Sequence, residues 1–97
     1  MKIFRKPLEF QWDKGNINKN LSHRVKDKEA EEPFFDRSHK KFKDNLHSKG
    51  EARYRIIGET KKRRLLFVVF TMRGNKIRII SARDINKKEV YLYEKKA

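Results

Sequence analysis

The sequence predicts an α+β domain in which an antiparallel sheet packs against helices. Three observations lead to this class: an alternating apolar stretch near the start, three β-rich runs separated by short turns in the second half, and helical spacing after the last run. The predicted order of elements is β-α-α-β-β-β-α. The chain has 97 residues, enough for one modest core, so we assign residues 1–97 to a single domain.

The first predicted elements are a strand and a helix. Residues 8–13 (LEFQWD) alternate apolar and polar side chains, which is the period-2 pattern of a half-buried strand. Asp13 is a suitable N-cap for a helix that runs to about His23. This helix is expected to follow the strand directly.

A second short helix is predicted over residues 25–32. Acidic residues near its start favour the positive end of the helix dipole, and Pro33 opposes continuation. Residues 34–50 are dense in charge and show no sustained period, which indicates a loop. A short strand around Phe42 is the one regular element that we allow within it.

The second half of the chain predicts the sheet and the closing helix. The β-rich runs cover residues 52–60, 63–72 and 75–82. Short turns join them, so an antiparallel meander is the simplest arrangement, and Gly74 suits the second turn. We expect the middle strand to be central because both of its faces are apolar. The closing helix covers residues 84–96 and starts at Asp84 or, through a Ser-x-x-Asp box, at Ser81.

The chain is strongly basic. It has 27 Lys and Arg residues against 13 Asp and Glu residues, and its net charge is +14. Such a surface attracts polyanions, either nucleic acid or an anionic membrane. No apolar run approaches the roughly 18 residues of a transmembrane helix and the N-terminus lacks a signal-peptide core, so we expect a cytoplasmic protein without a membrane partner. The sequence contains no cysteine, which excludes disulfides, thiolate catalysis and thiolate zinc sites.

Cations interrupt the last predicted strand. Alternation divides its side chains between two faces, with Ile77, Ile79 and Ser81 on one and Lys76, Arg78, Ile80 and Ala82 on the other. We expect Arg55 and Arg64 to add guanidinium groups to the basic side, where Arg78 is exposed. Guanidinium donates two parallel hydrogen bonds to phosphate oxygens, so this surface predicts phosphate binding. The alternative is that the arginines are solvated and cover apolar surface with their stems.

Other polar residues carry weaker signals. His23, His39 and His47 have no cysteine partner and no metal-binding spacing, so we expect no metal site. His47 is a candidate general base because Glu51 follows it closely, and the alternative is a loop histidine that bonds the backbone. The run KKRR at residues 61–64 is either a solvated hairpin tip or a grip on phosphate.

The order of motifs along residues 8–94 resembles the BrnT family of toxins from bacterial type II toxin-antitoxin modules. The motifs are FQWDKGNINKN, EAEE, HS, RYRIIGET, LLFVVFTMRGNKIRIISAR and KKEVYLYE. The most specific part runs from Phe70 to Arg83, with Glu89 and Tyr93 after it. The resemblance implies a fold similar to RelE-type ribonucleases, an RNA-cleaving activity that inhibits translation, and neutralisation by a BrnA antitoxin that dimerises and binds operator DNA.

The basic surface and the resemblance together predict a metal-independent endoribonuclease toxin without a cofactor. The candidate catalytic residues are His47, Glu51, Arg55, Arg64, Arg78 and Arg83. The candidate RNA-binding residues are Lys61, Lys62, Arg63, Arg73 and Lys76. The alternative function is a non-catalytic basic RNA-binding protein, and a third is a structural protein whose charge serves only solubility.

The expected partners are RNA and an acidic, BrnA-like antitoxin. An inhibitor gains most by covering the surface that binds RNA, so we expect contact with the basic strands and with the last helix near Tyr91 and Tyr93. The antitoxin brings its own dimer interface, which predicts a heterotetramer of two toxins and two antitoxins. Operator DNA is then contacted only through the antitoxin.

Overall fold

Five strands form one mixed sheet in a computed structural model that describes residues 8–44 and 50–94. The strands are β1 (Glu9–Phe10), β2 (Lys40–Asp44), β3 (Arg53–Glu59), β4 (Leu65–Arg73) and β5 (Lys76–Asp84). Their order in the sheet is β1-β5-β4-β3-β2, with β1 parallel to β5 and all other neighbours antiparallel. The helices of the described residues are α1 (Asp27–Glu31), α2 (Lys87–Glu94) and 3-10 helices at Lys19–His23 and Glu32–Phe35. The predicted α+β class is confirmed.

The sheet has one strand more than the predicted order, and β4 is central as predicted. The additional strand is β2, which pairs with β3 and confirms the short strand allowed around Phe42. Its sequence KKFKD has one apolar residue, so its strand conformation depends on pairing rather than on an apolar pattern. β1 is shorter than the predicted residues 8–13, and after Phe10 the Gln11 N–H still donates to the Ile77 carbonyl at 2.8 Å.

The helical segments of the first half are shorter than predicted. The 3-10 helix begins at Lys19, and Asp13 does not cap it. The Oδ1 of Asp13 instead accepts a hydrogen bond from the N–H of Gly15 at 2.8 Å and closes a local turn. α1 ends at Glu31 and a 3-10 helix containing Pro33 follows, so proline ends the α-helix as expected.

α2 starts later than predicted because β5 extends to Asp84. Neither Asp84 nor Ser81 caps it. Asn86 does so, since its Oδ1 accepts from the N–H of Glu89 and the Oε1 of Glu89 accepts from the N–H of Asn86, both at 2.9 Å. This capping box fixes Glu89 beside the end of β5.

The core lies between one face of the sheet and the segment of residues 19–35. β4 contributes Leu66, Val68 and Phe70 to it. The buried residues from other elements are Val25, Ala30, Phe34, Ile56, Ile77, Ile79 and Ala82. The opposite face carries the buried Ile57 and Phe67, and α2 reaches it through the contact of Glu89 with Arg83.

A β-bulge in β5 changes which side chains share a face. Val69 pairs with Ser81 whereas Phe70 pairs with Ile79, so Ile80 is the extra residue. The predicted alternation is consequently wrong beyond Ile79. Ala82 turns into the core, where it is fully buried, and Ser81 moves to the side opposite the core.

Two buried asparagines cover the outer edge of β5 beyond its short pairing with β1. The Nδ2 of Asn16 donates to the Ile79 carbonyl at 3.0 Å, and the Oδ1 of Asn20 accepts from the Ala82 N–H at 2.9 Å. These side chains satisfy backbone groups that a neighbouring strand would otherwise satisfy. They also hold the first 3-10 helix, which ends at His23, against β5.

Candidate functional site

The face of the sheet opposite the core carries arginines on both sides of β4. Its cross-strand rows align Arg53 with Thr71 and Arg78, Arg55 with Val69 and Ser81, and Ile57 with Phe67 and Arg83. We call the arginines of these rows, Arg53, Arg55, Arg78 and Arg83, the basic face. Arg73 and Lys76 form the next row, at the β4–β5 turn. Of the predicted site residues, the structure thus brings Arg55, Arg73, Lys76, Arg78 and Arg83 to one side of the sheet.

Arg55 is the least satisfied cation of the basic face. Its Nε is buried and has no hydrogen-bond partner among the described residues. Its guanidinium carbon lies 6.0 Å from the ring centre of Phe42 and 6.0 Å from that of Phe67. Within the described part of the chain, no carboxylate forms an ion pair with it. A buried N–H without an acceptor costs about 1–3 kcal/mol, so this arginine is held in its place at a cost to stability.

Arg83 is oriented by Glu89. Two hydrogen bonds join its Nη1 and Nη2 to the two carboxylate oxygens of Glu89, at 2.9 and 2.8 Å. Its guanidinium carbon lies 4.3 Å from the ring centre of Phe67. The guanidinium groups of Arg55 and Arg83 therefore converge on the same aromatic ring, that of Phe67. The hydrogen bond from Arg83 lowers the pKa of Glu89, so this carboxyl group is ionised at neutral pH.

Arg78 is not the exposed strand residue that the sequence predicted. Its side chain is only 13% exposed, and its Nη1 donates to the Oδ2 of Asp13 at 2.7 Å. The turn at Gly15 closes over it, since a Cβ added at that glycine would lie 2.6 Å from Nη2 of Arg78. Arg78 thus ties the segment after β1 to β5, and replacing it would disturb this packing.

Arg73 and Glu51 form an exposed pair at the edge of the basic face. The Nε of Arg73 donates to Oε2 of Glu51 at 2.9 Å. This hydrogen bond lowers the pKa of Glu51. Glu51 is therefore ionised and held by Arg73, and its acid-base role stays a prediction. The other predicted acid-base residue, His47, lies outside the described residues.

Arg64 lies on the core side of the sheet, so the expectation that it joins the basic side is wrong. It precedes Leu65, where alternation turns its side chain toward α1. There it donates to Glu29 at 2.9 Å, to Asp84, and to the carbonyls of Arg24 and His23 at 2.7 and 3.2 Å. Its contacts join three segments of the chain.

The predicted RNA-binding residues Lys61, Lys62 and Arg63 form the β3–β4 turn and are exposed. Lys61 and Lys62 line a cavity of about 310 Å³ together with residues of the α1 region. The N–H of Lys61 donates to Oε1 of Glu32 at 3.0 Å. These cations lie away from the basic face, and the structure does not bring them to it.

Sequence reasoning missed Arg53 and Glu89 as members of the site. A period-2 count along β3 would have grouped Arg53 with Arg55. Glu89 stood out only in the motif order of the family resemblance, and no local pattern placed it beside Arg83, because that place depends on the bulge in β5 and on the start of α2. No group of three His, Asp or Glu side chains with metal-binding geometry occurs within residues 8–44 and 50–94. Among the helices that the structure describes, none is long and apolar enough to cross a membrane.

Low pH should destabilise the fold, because it protonates carboxylates that are paired with arginines. Hydrogen bonds from Arg83 and Arg64 lower the pKa values of Glu89 and Asp84. A carboxyl group with a lowered pKa contributes stability above its unfolded-state pKa, and this is lost as the pH falls through the folded-state value. We expect the thermal midpoint to fall between about pH 5 and pH 3, and to fall less in Glu89→Gln.

The matched control is Glu94→Gln, which removes an exposed carboxylate at the end of the same helix. Thermal melts of the three proteins across this pH range measure the effect. An identical pH dependence in wild type and Glu89→Gln would show that the Arg83–Glu89 pair does not stabilise the fold.

The chain also matches a known protein family. The model of one family, described as "Ribonuclease toxin, BrnT, of type II toxin-antitoxin system", matches residues 12–89. The match covers most of the chain, including the arginines of the basic face and Glu89. No curated protein matches the chain.

Proposed function

The chain belongs to the BrnT family of ribonuclease toxins of type II toxin-antitoxin systems, and we propose that it is an endoribonuclease whose basic face holds the RNA phosphate to be cleaved. This activity would inhibit translation by cutting mRNA. Such a substrate implies that the toxin acts in the cytoplasm.

The observation that carries the proposal is the convergence of Arg55 and Arg83 on Phe67. Arg83 already holds a carboxylate bidentately, which is the geometry in which guanidinium also binds phosphate. Arg55 has a buried Nε without an acceptor among the described residues. A phosphate bound beside the two guanidinium groups would meet the charge of Arg55, which forms no ion pair within the described residues, next to that of Arg83.

RNA cleavage without a metal has three requirements: deprotonation of the 2′-hydroxyl, stabilisation of the negative charge that develops at phosphorus, and a proton for the leaving 5′-oxygen. The arginines supply the second requirement. They remain charged at every physiological pH, and the Phe42 and Phe67 rings flank the guanidinium of Arg55, with ring centres 6.0 Å from its carbon. The net charge of +14 favours encounter with RNA of any sequence.

Purified toxin incubated with RNA in EDTA tests this function. We expect discrete products that end in 2′,3′-cyclic phosphate, because attack by the 2′-oxygen leaves that group. An RNA with a single 2′-deoxynucleotide at the cleavage position should remain intact there. Intact RNA together with a salt-sensitive mobility shift would instead support the non-catalytic RNA-binding protein.

Membership of a type II toxin-antitoxin system implies an antitoxin partner. We propose that it is an acidic, BrnA-like protein that covers the basic face and the exposed side of α2, where Tyr91 is 67% exposed. A two-toxin, two-antitoxin heterotetramer would contact operator DNA through the antitoxin. Adding the antitoxin to the same assay should stop cleavage, and light scattering gives the stoichiometry. A stable complex that still cleaves RNA at the full rate would place the antitoxin elsewhere.

A further inference from the structure

A cavity of about 420 Å³ opens where the first 3-10 helix ends against β5. It is lined by Ser22, His23, Arg24, Arg83 and Asp84. Arg83 also belongs to the basic face, so the cavity and the proposed phosphate site share this arginine. His23 and Arg83 thus line the same cavity.

The backbone that carries His23 is firmly held. Arg64 donates to the carbonyl of His23 at 3.2 Å and to that of Arg24 at 2.7 Å, and it also pairs with Asp84 on the opposite wall. Arg24 adopts a left-handed conformation, with φ of 60°, and its N–H donates back to the carbonyls of Asn20 and Leu21. Arg64 is therefore a positioning residue that joins the two walls of the cavity.

The ion pairs around the cavity determine which of its side chains can accept a proton. The carboxylate of Asp84 is bonded to Arg64, and that of Glu89 is bonded to Arg83. Both pKa values are lowered by these hydrogen bonds, which makes the carboxylates weak bases. His23 is exposed and its ring has no hydrogen-bond partner among the described residues, so its nitrogens can accept a hydrogen bond from a substrate hydroxyl group, which is the contact that a general base needs. Arg24 and Arg83 supply the positive charge that draws a phosphate to the same place.

We infer that His23 is the general base of the RNA-cleaving reaction. The inference rests on the proposed ribonuclease function and adds a residue to it. His23 accepts the proton of the 2′-hydroxyl, the 2′-oxygen forms a bond to phosphorus, and the P–O5′ bond breaks. The 5′-oxygen leaves with that electron pair and takes a proton from water. The products are a 2′,3′-cyclic phosphate and a 5′-hydroxyl, and His23 returns its proton to solvent.

The first test compares wild type with His23→Gln at saturating RNA. General base catalysis contributes about 10²–10⁴-fold, so we expect kcat to fall at least about 100-fold while KM changes by less than about threefold. The rise of kcat/KM with pH on the acidic side should also disappear. His39→Gln is the matched control, since His39 lies outside the cavity and bonds the Asp36 carbonyl. Thermal melts of each variant exclude unfolding as the cause.

The second test separates a base from an acid. In an RNA with a 5′-bridging sulfur at the cleaved bond, the leaving group needs no proton. His23→Gln should remain impaired on this substrate, because the 2′-hydroxyl still has to lose its proton. Recovery of the wild-type rate would make His23 the general acid and overturn the inference.

The outcomes distinguish this inference from the function on which it rests. If wild type cleaves RNA and His23→Gln cleaves it equally well at every pH, His23 is not the base while the ribonuclease function stands. A rise in KM with unchanged kcat also overturns it, by making His23 a binding residue. Absence of cleavage by folded wild type would refute the function itself.

Discussion

Alanine in place of Arg55 should reduce RNA cleavage by about 10²–10³-fold, the usual effect of removing one preorganised donor from a developing negative charge. No carboxylate forms an ion pair with Arg55 within the described residues, so its positive charge is not neutralised by a direct contact. The loss should appear in kcat at saturating RNA. The thermal midpoint should stay within a few degrees of wild type, because the substitution breaks no ion pair within the described residues.

Two further variants sharpen this prediction. Arg55→Lys keeps the positive charge but loses the planar fork, so it should retain RNA affinity and recover only part of the rate. Lys28→Ala is the charge-matched control, since Lys28 is an exposed cation on α1 at the opposite side of the sheet. Full activity in folded Arg55→Ala, measured by initial rates on the same RNA, would remove Arg55 from the catalytic site.

Alanine in place of Arg64 should cause the largest loss of stability among the arginine substitutions. Its guanidinium makes hydrogen bonds to Glu29, Asp84 and two main-chain carbonyls, and its side chain is 24% exposed. Removing it leaves two carboxylates without their cation and two carbonyls without their donor. Because hydrogen bonds to charged groups contribute about 1.5–3 kcal/mol, we expect the free energy of unfolding to fall by about 2 kcal/mol.

Urea unfolding at neutral pH measures this difference. Lys62→Ala is the control, because it removes an exposed cation from the neighbouring turn and should shift the stability by less than about 0.5 kcal/mol. An unfolding midpoint in Arg64→Ala equal to that of the control would mean that the bonds of Arg64 do not hold the three segments together. In that case Arg64 would also lose its role as a positioning residue for His23.

The local pattern of apolar and polar residues was sufficient to predict part of the candidate site. The apolar runs predicted β3, β4 and β5, and side-chain alternation correctly put Lys76 and Arg78 on one face of the last strand. Arg55 reached the basic face as expected. These features depend on residues that are close together in the chain. They can therefore be predicted from the sequence.

Other parts of the site depend on contacts between distant segments. The bulge at Ile80 reverses the faces of the residues that follow, and no local residue preference announces it. Arg64 was grouped with Arg78 because both are arginines near strands, yet tertiary packing directs Arg64 to α1 and buries most of Arg78 under the turn at Gly15. Both residues therefore hold segments together.

By itself, the sequence determined the α+β class, the basic character, the three long strands and the resemblance to ribonuclease toxins, because these depend on composition, periodicity and motif order. Only the tertiary structure decided that Arg55 and Arg83 converge on Phe67, that Glu89 orients Arg83, and that His23 shares a cavity with it. His23 and Arg83 are sixty residues apart in the chain. They become neighbours because the side chains of Asn16 and Asn20 hydrogen-bond the open edge of β5 and draw the first 3-10 helix against it.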